Sequence, residues 1–201
     1  MLKEMLSRLS TSGGTLVKRF QSENSGAAAI EFAFIAPLLI TMYLGTMEVS
    51  QGLEINKKVA RSAGVIGDLL GQKAEFTKSQ LHDLMAIGQS MLLPYNRSEP
   101  TITISFISIG ADLLPKVTWS RRGVGTTYSM PYAANSAATV PANLKIANTY
   151  LIRVQTEIEY LPITSWTIQK NKGGGTYAAI DMSETYHLRP RVADTITCTD
   201  C

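Results

Sequence analysis

The chain has 201 residues, 45% of them hydrophobic, with a formal net charge of +3, two histidines and two cysteines. That length suits one globular domain plus accessories. No Lys/Arg run exceeds two residues (Lys18-Arg19, Lys57-Lys58, Arg121-Arg122), so the basic stripe that a nucleic-acid interface requires is missing, and no nucleic-acid partner is expected.

Residues 1–26 are polar and mildly basic, with Lys3, Arg8, Lys18 and Arg19 against Glu4 and Glu23. The next 21 residues, Ala27 to Met47, carry one charged group, Glu31. A bilayer core of about 30 Å needs about 20 apolar helical residues, so 27–47 reads as a membrane-spanning helix. Pro37 lacks an N–H and crowds the carbonyl of Ala33, which predicts a kink there. Beyond Met47 the pattern turns amphipathic: Leu53, Ile55, Val59, Ala63, Ile66 and Leu70 recur at helical spacing among Glu54, Lys57, Lys58, Arg61 and Asp68. Residues 48–71 are therefore expected to continue the helix as a stalk, so that Ala27 to Leu70 forms one helix of roughly 66 Å at 1.5 Å per residue. Gly52, Gly64 and Gly67 weaken that helix by up to about 1 kcal/mol each.

Residues 72–201 read as an α+β head. A second helix is predicted over Lys78–Leu92, opened by the capping box Thr77-Lys-Ser-Gln80 and ended by Pro94. From residue 101 the period changes to two. Thr101–Ile109 alternates, Val117–Arg121 is a shorter strand, and Tyr150–Tyr160 sets Tyr150, Ile152, Val154, Thr156, Ile158 and Tyr160 on one face against Leu151, Arg153, Gln155, Glu157 and Glu159 on the other. Ile163–Gln169 and Tyr177–Leu188 are expected to pair across the Asn171–Gly175 turn, while Gly123–Asn148 reads as loop-rich, with Pro131 and Pro141 inside. The fold class is thus α+β: a long N-terminal helix, a short second helix, and three to five antiparallel strands.

The most informative junction is Ser25-Gly26-Ala27-Ala28-Ala29-Ile30-Glu31-Phe32, in which a polar leader ends in Gly, and Glu and an aromatic follow at the start of an apolar run. This resembles the type IV prepilin processing signature, and AAAIEFAFIAPLLI is most similar to the TadE/TadG-like minor pilins, or pseudopilins, of Flp (tight adherence) pili. The close resemblance covers roughly residues 22–52; the remainder is similar in plan rather than in motif. The resemblance implies a pilin-like fold and a prepilin peptidase that cuts between Gly26 and Ala27. It further implies that the new α-amino group of Ala27 and the carboxylate of Glu31 act together, with Phe32, in setting register during assembly. A Glu31 that merely snorkels to the interface, in an uncut signal anchor, is the competing reading. A cleaved secretory signal fits less well, because the apolar run exceeds the usual 7–15 residues. Basic residues lean slightly towards a cytoplasmic N-terminus and a periplasmic head.

Cys198-Thr-Asp-Cys201 leaves three readings open: a small disulfide clip, a redox motif, or half of a metal site. No helix follows to activate a thiolate, and His82 and His187 show no ligand spacing, so a local disulfide in an oxidising compartment is favoured and no metal is expected. His82, His187, Trp119 and Trp166 read as structural, and Glu157 and Glu159 as the polar side of an amphipathic strand. Gly173–Gly175 lacks the residues of a phosphate loop. No catalytic residue, cofactor or small-molecule substrate is expected. The sequence therefore points to a non-enzymatic structural protein whose partners are the inner membrane, the peptidase, a major pilin and other minor pilins. The alternative is an uncleaved envelope protein whose head binds a ligand or exchanges disulfides.

Overall fold

The long apolar helix and the β-rich region meet inside one element. In a computed structural model describing residues 25–95, 97–162 and 179–201, helix α1 runs Ser25–Leu70, 46 residues, with Pro37 inside it. The chain divides at Met47/Glu48 into two units, Met1–Met47 and Glu48–Cys201. The described part of the first is helical throughout.

In the second unit, the remainder of α1 is followed by β1 (Glu75–Phe76), α2 (Lys78–Ser90), β2 (Thr101–Ile109), β3 (Pro115–Val124), β4 (Thr127–Ser129), a 3-10 turn (Ala142–Leu144), β5 (Thr149–Tyr160), β6 (Ile180–Leu188) and β7 (Thr197–Cys198). Strands β4-β3-β2-β5-β6 form an antiparallel sheet in that order. The protein is therefore α+β, with a long apolar N-terminal helix, a short second helix and a five-stranded sheet.

Helix α2 ends at Ser90, two residues before the expected Leu92, and its capping box is formed: Thr77 Oγ1 accepts from the Gln80 N–H at 3.3 Å, and Gln80 Oε1 accepts from the Thr77 N–H at 3.3 Å. Ile66, Leu70 and Ala63 from α1 and Leu81 and Met85 from α2 pack with Ile102, Ile104, Phe106, Ile152 and Val154 from one face of the sheet. A smaller cluster joins Ile55 and Val59 to Leu92, Ile158 and Tyr160. Gly88 permits the close approach, since a Cβ there would lie 2.3 Å from Ile66 Cδ1 and 2.8 Å from Ile102 Cδ1. A Cβ at Gly67 would lie 2.7 Å from Leu188 Cδ2. These glycines cost helix propensity but let side chains of the sheet reach the helix backbone.

Several expectations are corrected. The expected short strand Val117–Arg121 extends over Pro115–Val124, with a bulge opposite Phe106/Ile107 that breaks its simple alternation. Within the loop-rich Gly123–Asn148, the three-residue β4 pairs with the end of β3 across a turn at Gly125, whose φ is +54°. Thr101–Ile109 is buried on both faces, Thr103 and Ser105 included, because β2 is the central strand. Its second face is covered near Ile107 and Ile109, and their cross-strand neighbour Leu151, by Ala138, Val140 and Leu144. The ribbon of β1 with β7 was unanticipated, and it is parallel. Strand β6 pairs with β5, Tyr160 opposite Ile180. The expected strand Ile163–Gln169, the Asn171–Gly175 turn and Trp166 lie outside the described residues, as does most of the leader.

Candidate functional site

Between Gly26 and Met47, α1 buries no side chain. Exposure of its large apolar residues runs from 41% at Met47 to 78% at Phe34. Ile30, Phe32, Leu38, Leu39, Ile40, Met42 and Tyr43 all lie within those limits. Such a helix, apolar on every side and uncovered, needs an apolar surrounding. It is long and apolar enough to cross a membrane.

The few polar groups in this stretch are handled as a lipid environment demands. Thr41 Oγ1 donates to the Pro37 carbonyl and Thr46 Oγ1 to the Met42 carbonyl, each at 2.8 Å and four residues back. Both hydroxyls are thereby satisfied within the helix. Pro37 is accommodated without ending the helix, although it removes the N–H that would have bonded the carbonyl of Ala33. Glu31 stands exposed one turn beyond Ala27, beside exposed Phe32. Among the described residues, a Cβ on Gly26 would meet nothing within 4 Å.

Past Met47 the same helix changes character. Ile55, Val59, Ala63, Ile66 and Leu70 are buried, and Ser62 Oγ donates to the Gly88 carbonyl at 3.0 Å. At the first residue of this part, Tyr160 Oη donates to Glu48 Oε1 at 2.5 Å. Burial, reinforced by that bond to the carboxylate, pushes the Tyr160 phenol well above its ordinary pKa.

Residues 26–59 match the family of TadE-like proteins. The match begins at Gly26, takes in the whole uncovered stretch and ends at Val59, on the buried stripe of the second unit. No curated protein and no solved structure matches the chain.

The other residues singled out from the sequence lie outside the TadE-like segment. Cys198 and Cys201 are joined by a disulfide, Cα to Cα 5.4 Å, and both sulfurs pack against the main core. Trp119 stacks on Phe106 and donates its Nε1–H to the Ile196 carbonyl at 2.9 Å. Glu157 faces Arg122 at 3.5 Å and accepts from Gln155 Nε2 at 2.6 Å; Glu159 is exposed. His82 stacks on Tyr128 with ring centroids 3.6 Å apart, and His187 sits on β6 opposite Arg153. Burial lowers both imidazole pKa values, with Arg121 adding to the effect at His82 and Arg153 at His187. These residues sit on different elements of the head: His82 on α2, His187 on β6, Glu157 and Glu159 on β5, and the cysteines at and beyond β7, with Asp200 between the cysteines acting on His82. Sequence reading missed Glu48 and Tyr160 as a pair, because they are 112 residues apart and only the packed sheet brings them together.

Proposed function

We propose that this chain is a minor pilin or pseudopilin that takes part in assembling a Tad/Flp-type pilus. In this reading residues 27–47 anchor it in the bacterial inner membrane, 48–71 form a stalk, and 72–201 form a periplasmic or extracellular head. The observation that carries the proposal is the TadE-like match laid over a helix whose apolar side chains are uncovered on every side. Lipid before assembly, and the helices of other pilins after it, would supply the missing cover.

Residues 1–26 are then a leader, and a prepilin peptidase cuts between Gly26 and Ala27. The surroundings of Gly26 support this, because packing among the described residues gives no reason for a glycine there, whereas a narrow protease cleft would. The released α-amino group of Ala27 on one subunit pairs with Glu31 on another. A lone carboxylate in the apolar layer costs at least a few kcal/mol, so neutralising it favours one axial register over others. A disulfide in the head suits the oxidising side of the membrane, and the basic leader residues suit the cytoplasmic side. Partners are the peptidase, the major pilin and other minor pilins; the role is structural, not enzymatic.

The test is assembly in cells producing variant chains. Glu31→Ala should abolish or sharply reduce surface pili while the protein still accumulates in the membrane. Wild-type piliation in Glu31→Ala cells would refute the assembly role of this site.

A further inference from the structure

The first turn of α2 receives a cap from a residue far along the chain. The Lys78 N–H, one of the donors that a helix N-terminus leaves without an intrahelical partner, donates to Asp200 Oδ1 at 2.6 Å across 122 residues. A carboxylate at that position is also favoured by the helix dipole. Asp200 lies inside the four-residue ring closed by Cys198 and Cys201.

The chain leading to that ring is held by other means. Thr197 N–H donates to the Ala74 carbonyl at 3.0 Å and Thr199 N–H to the Phe76 carbonyl at 3.1 Å. The carbonyl of buried Ile196 accepts from Trp119. Further back, the Arg191 N–H bonds the Gly71 carbonyl and its guanidinium meets Asp68 at 2.8 Å. Residues 191–199 are thus strapped across the α1–α2 connection by bonds independent of sulfur. Past Thr199, the described chain end is held by the disulfide, by the Asp200–Lys78 bond and by packing of Cys201 against the core.

We infer that the Cys198–Cys201 disulfide is a redox latch: closed, it holds Asp200 on the N-terminus of α2; open, it releases that cap while leaving the strap and the sheet in place. Opening needs a dithiol reductant. The reductant supplies two electrons and two protons, the S–S bond breaks, two thiols form on Cys198 and Cys201, and the reductant leaves as its own disulfide. Closing is the reverse, with a protein or small-molecule disulfide as the oxidant. The latch makes the order of α2's first turn, and of the head surface around it, depend on the redox state of the compartment.

Residue-resolved hydrogen exchange on the full chain in detergent, before and after dithiothreitol, tests this. A helix cap is worth about a fivefold change in local opening. The Lys78 amide should therefore exchange about fivefold faster after reduction, while amides of β2 and β5 keep their rates. Asp200→Ala should reproduce that acceleration in the oxidised chain and add nothing in the reduced one, and the Cys198→Ser/Cys201→Ser chain should behave as the reduced wild type. Unchanged exchange at Lys78 on reduction would overturn the inference, as would an Asp200→Ala effect of equal size in both redox states. Loss of β2 protection on reduction would overturn it too, because the bond would then staple the whole head.

Discussion

The two halves of α1 share a helical backbone and differ in what covers them. From Gly26 to Met47 the helix is apolar all round and buries nothing; from Glu48 to Leu70 it is amphipathic and buries a stripe through Ile55, Val59, Ala63, Ile66 and Leu70. Helix propensity does not distinguish them. The difference lies in what covers each half: the second is covered by β2, β5 and α2 of its own chain, the first by no described residue. The uncovered half is long and apolar enough to cross a membrane, and the TadE-like match falls on that half and the turns just beyond it.

Substitutions in the two halves should therefore separate stability from assembly. The largest effect on stability is expected from Ile66→Ala, which empties a fully buried site between α2 and the sheet and should cost about 3 kcal/mol in denaturant unfolding of the head. Ile40→Ala, in the uncovered half, should leave that unfolding unchanged. Equal losses from the two would break the comparison.

Next comes Gly88→Val. Its Cβ falls within 3.0 Å of Ile66, Ile102 and Ser62 side-chain atoms, so overpacking should cost about 2 kcal/mol by the same measurement. Gly45→Val, where an added Cβ meets nothing, should cost the head nothing.

Tyr160→Phe removes the bond to Glu48 and should cost about 1 kcal/mol, which locates the first residue of α1 that the head holds. If Tyr160→Phe has no effect, that boundary moves towards Gly52 or Ile55.

The smallest effect is on pH dependence. His82 and His187 have folded pKa values below the ordinary 6.5, so the unfolded chain binds more protons as pH falls through 6.5. Stability from these groups is complete above pH 6.5 and declines below it. His187→Gln should flatten the loss of stability measured between pH 6.5 and about 5, a window above most carboxylate titration. A slope unchanged in both His82→Gln and His187→Gln would remove the histidines from the account.

Long periodic segments were legible from residue types alone. The apolar run, the buried stripe of α1, the Thr77–Gln80 capping box and the alternation of β5 each repeat a local signal over several residues or carry a fixed spacing. Features set by the assembled sheet were not. Strands β1 and β7 are two residues each, too short for any period, and exist because the strap crosses the α1–α2 connection. The bulge in β3 breaks its alternation, hiding half of that strand. Thr103 and Ser105 look solvent-facing by type but are buried by β3, β5 and Arg153, which reaches Ser105 at 3.5 Å. At the candidate site, the TadE-like resemblance was legible because its signal, beginning at Gly26, is wholly local. The Asp200 cap on α2 was not, because it depends on a contact across 122 residues.

The most direct test is the mature N-terminus of the protein, by terminal sequencing and intact mass, from native envelopes with and without the prepilin peptidase. The account predicts a start at Ala27 that disappears when the peptidase is absent. A start at Met1 in both would contradict it, leaving an uncut membrane anchor in front of the same folded head.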